Sequence, residues 1–252
     1  MALFTDGLLS TFDDLRNYEN QILEVATAEG IDLLSKSRVA QDMIGSEVST
    51  ILGRNSNAWP SQQFTLSNVA VTEPLRQWHV FQTLFLTFED VYGNQLSERF
   101  KHKSGEYRRL AAWASDILLQ AGIGLVRLPI PKAGRPEVTA VEAATAGSTL
   151  VVRVSWVAIS GGIEGYPSDT LTINLPPGKT LLVGTNSAPP TITGWNVFVG
   201  LSADEITRQN ELPLPISSTW QLPADGLRDG PRAGHGQSAD WYIRAEQVLH
   251  RG

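Results

Sequence analysis

The sequence predicts an α+β chain built as separate domains, an N-terminal α-helical bundle followed by a two-sheet β-sandwich. Three observations predict it. Apolar residues recur at steps of three or four through the first half. Pro129, Pro131, Gly134 and Pro136 then form a stiff connector, because proline fixes its own backbone and restricts its predecessor. Beyond it, β-branched residues come in short runs separated by turn residues. With 252 residues, 42% of them hydrophobic, the chain can fill two cores of ordinary size.

The elements follow in order. Thr11 is placed to cap a first helix carrying Phe12, Leu15, Tyr18, Ile22, Val25 and Ala26, with Gly30 at its C′ position. Asp32 can start a second, holding Val39, Ile44, Val48, Ile51 and Leu52; Gly45 interrupts it at about 1 kcal/mol relative to Ala. The polar stretch 54–66 around Trp59 and Pro60 reads as a loop or extended arm. Thr72 and Pro74 open the strongest helix, striped by Leu75, Trp78, Phe81, Gln82, Phe85, Phe88 and Tyr92 and ending at Gly93. After a polar segment, Ser104 caps a helix with Tyr107, Leu110, Ala111, Ala114, Ile117, Leu118 and Ala121 inward, closed by Gly122. Two strong helices on a short connection favour antiparallel neighbours. Strand runs are expected at 138–141, 149–157, 170–175, 180–183, 194–199 and 218–222, with Val152, Val154 and Trp156 inward. The expected domains are 1–133, 134–224 and a tail, 225–252, that is flexible until Asp240 to Ile243 restore apolar character. That short end is either a partner-binding hook or a final element packed on its own subunit.

Composition removes several functions. Cysteine is absent, so disulfides, thiolate metal sites and a Cys nucleophile are excluded. The net charge of −6 is spread evenly, with 12 basic against 15 acidic residues through Ala133 and 8 against 11 beyond, so neither half is a basic nucleic-acid arm. Neither a secretory leader nor an apolar run long enough to span a bilayer is evident, and the chain is expected to be soluble and made in the cytoplasm, without membrane partners. His79, His102, His235 and His250 show no metal-ligand spacing. Ser155 lacks a nucleophile elbow, and the glycines at 161, 162 and 165 lack the lysine of a phosphate loop. No catalytic, cofactor or metal residue is assigned, and the chain is expected not to be an enzyme.

Two resemblances carry the functional expectation. Val151, Val152, Arg153, Val154, Ser155, Trp156 and Val157, the turn through Gly165, Tyr166, Pro167 and Ser168, and Gly194, Trp195, Asn196, Val197, Phe198, Val199 and Gly200 resemble a fibronectin type III-like, immunoglobulin-like domain over 136–223. Leu75, Trp78, Val80, Phe81 and Leu84, then Arg99, Phe100, Lys101, His102 and Lys103, then Tyr107, Arg108 and Arg109 resemble the helical head-to-tail adaptor (connector) proteins of tailed bacteriophages over 72–132. The resemblance implies a structural virion protein of the neck, at the head-tail junction. Its copies form a ring, a dodecamer in that family, between the portal protein and the next neck or tail protein, and extend the DNA channel used in genome ejection.

The interface candidates are Trp59, the cations Arg99, Lys101, Lys103, Arg108 and Arg109, and a C-terminal hook of Asp240, Trp241, Tyr242, Ile243 and Arg244 that reaches a portal as adaptor tails do. A solvated helix face is the bland account of the cations. Trp78, Trp113, Trp156 and Trp195 are expected core anchors. The alternative function is a tail-tip or fibre module binding host-surface carbohydrate or protein through Tyr166 and Trp220; an accessory chain of a cell-wall hydrolase is a third.

Overall fold

Five helices lie in the N-terminal half, and a β-rich region with several sheets follows. The computed structural model describes residues 1–55, 63–143, 147–158 and 162–244. The chain divides into two compact units that exchange their ends: Met1–Asp6 belongs with Leu128–Ser238, whereas Gly7–Arg127 is joined by the described residues from Ala239 on.

In the helical unit, Thr11 caps α1 (Phe12–Tyr18) as expected, its Oγ1 accepting from Asp14 N at 3.2 Å while Asp14 Oδ2 accepts from Thr11 N at 2.8 Å. The single first helix predicted is broken, however, and α2 (Ile22–Ala28) is separate. Glu19 is extended at the break, where the Tyr107 hydroxyl donates to the Tyr18 carbonyl at 3.3 Å and to Glu19 Oε2 at 3.1 Å. Asp32 Oδ1 accepts from Leu34 N at 2.9 Å and starts α3 (Leu33–Asn55). This helix runs unbroken through Gly45, because burying Ile44, Val48 and Leu52 at about 1.5–3 kcal/mol each outweighs one glycine.

α4 (Glu73–Gln95) is the centre of the unit, packed by both α3 and α5 (Glu98–Ala121) and buried on most of its circumference. It runs two residues beyond Gly93 and stops where Leu96 adopts a left-handed conformation, φ 52°. Thr72 stands at its N-cap without a capping hydrogen bond. α5 begins at Glu98 behind Ser97 rather than after Ser104, so Arg99 to Lys103 are helical. Phe100 and Tyr107 both stack on Phe88, with centroids 6.2 and 5.5 Å away, and this anchors the added turns. Gly122 ends α5 as predicted.

A small sheet completes this unit. β1 (Ile123–Leu125) pairs antiparallel with the last strand, β11 (Trp241–Ile243), and Val69 bridges Leu125.

The β unit has two sheets. One is ordered β10-β6-β2, made of Trp220–Gln221, Lys179–Gly184 and Glu137–Glu142. In the other, β3 (Ser148–Ala158) and β7 (Gly194–Gly200) are the central antiparallel pair, with Trp156 opposite Trp195. Both its edges are split. β4 (Ile163–Glu164) and β5 (Leu171–Leu175) share the outer side of β3; β8 (Thr207–Arg208) and β9 (Leu214–Pro215) share that of β7. Val152, Val154, Trp156, Trp195, Val197 and Val199 of this sheet meet Leu181, Val183 and Trp220 of the other in one core.

The chain before β2 is not an interdomain connector as predicted. Ile130 and Ala133 lie in that core, and Ile130 N donates to Gln237 Oε1 at 2.6 Å. The change of unit therefore falls at Arg127/Leu128, before the expected boundary.

The stretch 225–237 is likewise tied down rather than a flexible tail. Arg228 N donates to Gln209 Oε1 at 2.8 Å, Arg208 N to the Pro231 carbonyl at 2.9 Å, and the Met1 ammonium to the Gln237 carbonyl at 2.8 Å. Gly236, φ +82°, is required there, since a Cβ would stand 2.5 Å from the Met1 carbonyl oxygen.

Candidate functional site

The five cations lie on one helix, α5, but in different environments. Lys103 is absorbed into the unit: its ammonium pairs with Glu19 and lies 5.0 Å from the Phe88 ring centroid. Glu19 also accepts from Tyr107, whose phenol is pushed up in pKa by burial first and by this carboxylate second. Lys101 pairs with Glu98 one turn earlier at 3.3 Å. Arg99 and Arg108 extend over Phe100 and Phe85 at 5.7 and 5.8 Å, leaving exposed guanidinium groups on apolar platforms. Arg109 is exposed and makes no ion pair among the described residues. The structure thus brings Arg99, Arg108 and Arg109 to the surface, holds Lys101 in a weak exposed pair and withdraws Lys103.

One residue corrects its prediction here. Trp113 is not a core anchor; it is 50% exposed on α5, one turn beyond Arg109. The inward stripe of that helix is Tyr107, Ala111, Ala114 and Leu118, and Trp113 falls outside it. Only the spacing 107-111-114-118 signals this, and it assigns Trp113 to the opposite side.

The expected hook is largely occupied within its own chain. Asp240 Oδ2 accepts from Arg127 N and Asp240 N donates to the Leu125 carbonyl, both at 2.8 Å. Trp241, Tyr242 and Ile243 pair with Leu125, Gly124 and Ile123, and Trp241 sets an edge against Phe64 with centroids 5.9 Å apart. Tyr242 and Arg244 remain exposed. Trp59 lies outside the described residues.

On the β unit, Trp220 is 8% exposed and belongs to the core, so it is unavailable as a glycan platform; Tyr166 is half-buried, its carbonyl accepting from Ala133 N at 3.2 Å. Ser155 donates to Glu164, which also accepts from Asn196 Nδ2 at 3.1 Å, while Asn210 Nδ2 donates to Asn196 Oδ1 at 2.9 Å. These groups satisfy one another's hydrogen bonds.

His79 of α4 is fully buried between α3 and the segment before α1. Its Nδ1 lies 2.7 Å from the Ser10 hydroxyl and its Nε2 2.9 Å from the Ser37 carbonyl, so Nε2–H donates and Nδ1 accepts in the neutral ring. Burial lowers its pKa, against smaller opposing effects of the Ser37 bond and Asp14.

Among the described residues, no helix is long and apolar enough to cross a membrane. No protein-family model matches the chain, and a search of curated proteins finds no significant match.

Proposed function

We propose that this chain is a structural, non-enzymatic protein of a phage neck: a head-to-tail adaptor that assembles as a ring between the portal and the next neck or tail component and extends the DNA channel. The observation that carries this reading is the order of parts: a helical unit centred on the α4–α5 pair, then a two-sheet unit. The functional capacity on the described surface is for protein contact, in exposed arginines and Trp113 on α5.

The strand order supports a fibronectin- or immunoglobulin-like class for the β unit. Along the chain β2 lies in one sheet, β3 to β5 in the other, β6 in the first and β7 to β9 in the second again, the repeated crossing of a Greek-key sandwich. It departs from the simplest pattern in placing β10 beside β6 and in splitting both edges of the larger sheet.

Immunogold electron microscopy of intact particles, with antibody to the β unit and particles lacking the chain as control, tests the location. Label at the head-tail junction is expected. Label at the distal tail tip discards the adaptor reading in favour of host-surface binding.

A further inference from the structure

We propose that the outward face of α5 docks antiparallel on the outward face of α3 in a second copy of this chain, with Trp113 seated on Val39 and Met43. The inference deepens the self-assembly reading above and rests on it.

α3 and α5 both pack on α4, so each turns another side outward. On α3 that side carries Val39, 44% exposed, with Met43 one turn on at its margin, 49% exposed although its sulfur accepts from Gln82 Nε2 of α4 at 3.6 Å. On α5 it carries Trp113, a large apolar side chain left half in water. Each is an apolar centre on an otherwise polar face, the arrangement of an interface anchor and its seat.

The flanking charges choose the register. Arg109 lies four residues before Trp113 and Asp116 three residues after it, and Glu47 lies four residues after Met43, so each shares a helix face with its apolar neighbour. At a helical rise of about 1.5 Å per residue, antiparallel docking brings Arg109 toward Glu47. Parallel docking sets Asp116 toward Glu47, like against like. Glu47, Arg109 and Asp116 are all exposed and make no ion pair within the described chain. Because the two faces differ, the contact is heterologous, and each copy offers one of each, as a ring or filament needs.

The test is sedimentation velocity of the full chain over a concentration series at low salt, with circular dichroism as the folding control. Trp113→Ala, Arg109→Glu and Glu47→Arg are each expected to weaken self-association by about tenfold or more. Arg109→Glu combined with Glu47→Arg is expected to recover most of it. Met43→Asp provides an independent probe of the α3 face should Glu47→Arg misfold. Self-association that none of these changes weakens overturns the assigned faces while the ring reading stands. Loss in the single variants without recovery in the double variant overturns the antiparallel register, and a wild-type chain that stays monomeric throughout overturns both the contact and the ring reading.

Discussion

His79 is a titratable side chain with no contact to solvent, kept neutral by burial and held in place by Ser10 and Ser37 from different parts of the helical unit. An unfolded histidine titrates near 6.5, and burial depresses the folded value, so on acidification the unfolded chain takes up the proton first. The stabilisation is complete above about pH 6.5 and is lost as pH falls through the folded pKa. His79→Gln should therefore lower the unfolding free energy of the helical unit at pH 7.5, read by urea titration, by about 1–3 kcal/mol, and flatten its decline toward pH 5.5 relative to wild type. A variant with the wild-type slope would remove His79 as the source. The tryptophans divide on the same principle of burial. Trp195 is fully enclosed, with Nε1 donating to the Pro215 carbonyl at 3.0 Å, so Trp195→Ala should cost the β unit about 3–5 kcal/mol. Trp113→Ala should leave monomer unfolding within about 1 kcal/mol of wild type, since much of that indole is already in water. Equal losses in chemical denaturation would contradict this division.

At the scale of elements, the last strand is the test case. β11 gives β1 its antiparallel partner, and Asp240 accepts the Arg127 amide at the end of that ladder. Truncation after Ser238 should therefore destabilise the helical unit, by about 2 kcal/mol or more, and lower its far-ultraviolet melting transition. Unchanged helical melting would return these residues to the role of a free hook. The same strand shows where the sequence was legible. The six β runs expected from β-branched residues coincide with β2, β3, β5, β6, β7 and β10 to within about two residues; the first five carry their own alternation or apolar run, and the two-residue β10 is marked by Trp220 and Leu222 on either side of Gln221. β1, β4, β8, β9 and β11 are two or three residues long and have too little sequence for a period to register. Helix boundaries failed for a related reason. Arg99 to Lys103 look like a polar turn until Phe100 and Lys103 are seen against Phe88, a residue of the preceding helix. Of the candidate site, the cations were legible by composition, but which of them face water depends on Glu19, Phe85 and Phe88, residues distant along the chain.

For the whole molecule, the exchange of chain ends has a consequence that a simple two-domain order does not predict. The first six residues stand before all five helices, yet they belong to the β unit. Leu3 and Phe4 are buried, and the Asp6 carboxylate accepts from Leu3 N and Lys132 N, each at 2.7 Å. Burial raises the Asp6 pKa, against the lowering effect of those bonds and of the Lys132 and N-terminal charges. Removing 1–6 should therefore destabilise the β unit by about 3–5 kcal/mol, the order expected for two large apolar side chains, and leave the helical unit nearly unchanged. Tryptophan fluorescence, weighted toward Trp156, Trp195 and Trp220 by variants lacking the helical-unit tryptophans, follows the first transition; circular dichroism at helical wavelengths follows the second. A selective loss in the β unit is expected because the first six residues belong to it and bond to its Gln237 and Lys132. Loss confined to the helices would mean that the N-terminal segment works locally, and the exchange of ends would then contribute nothing to holding the β unit together.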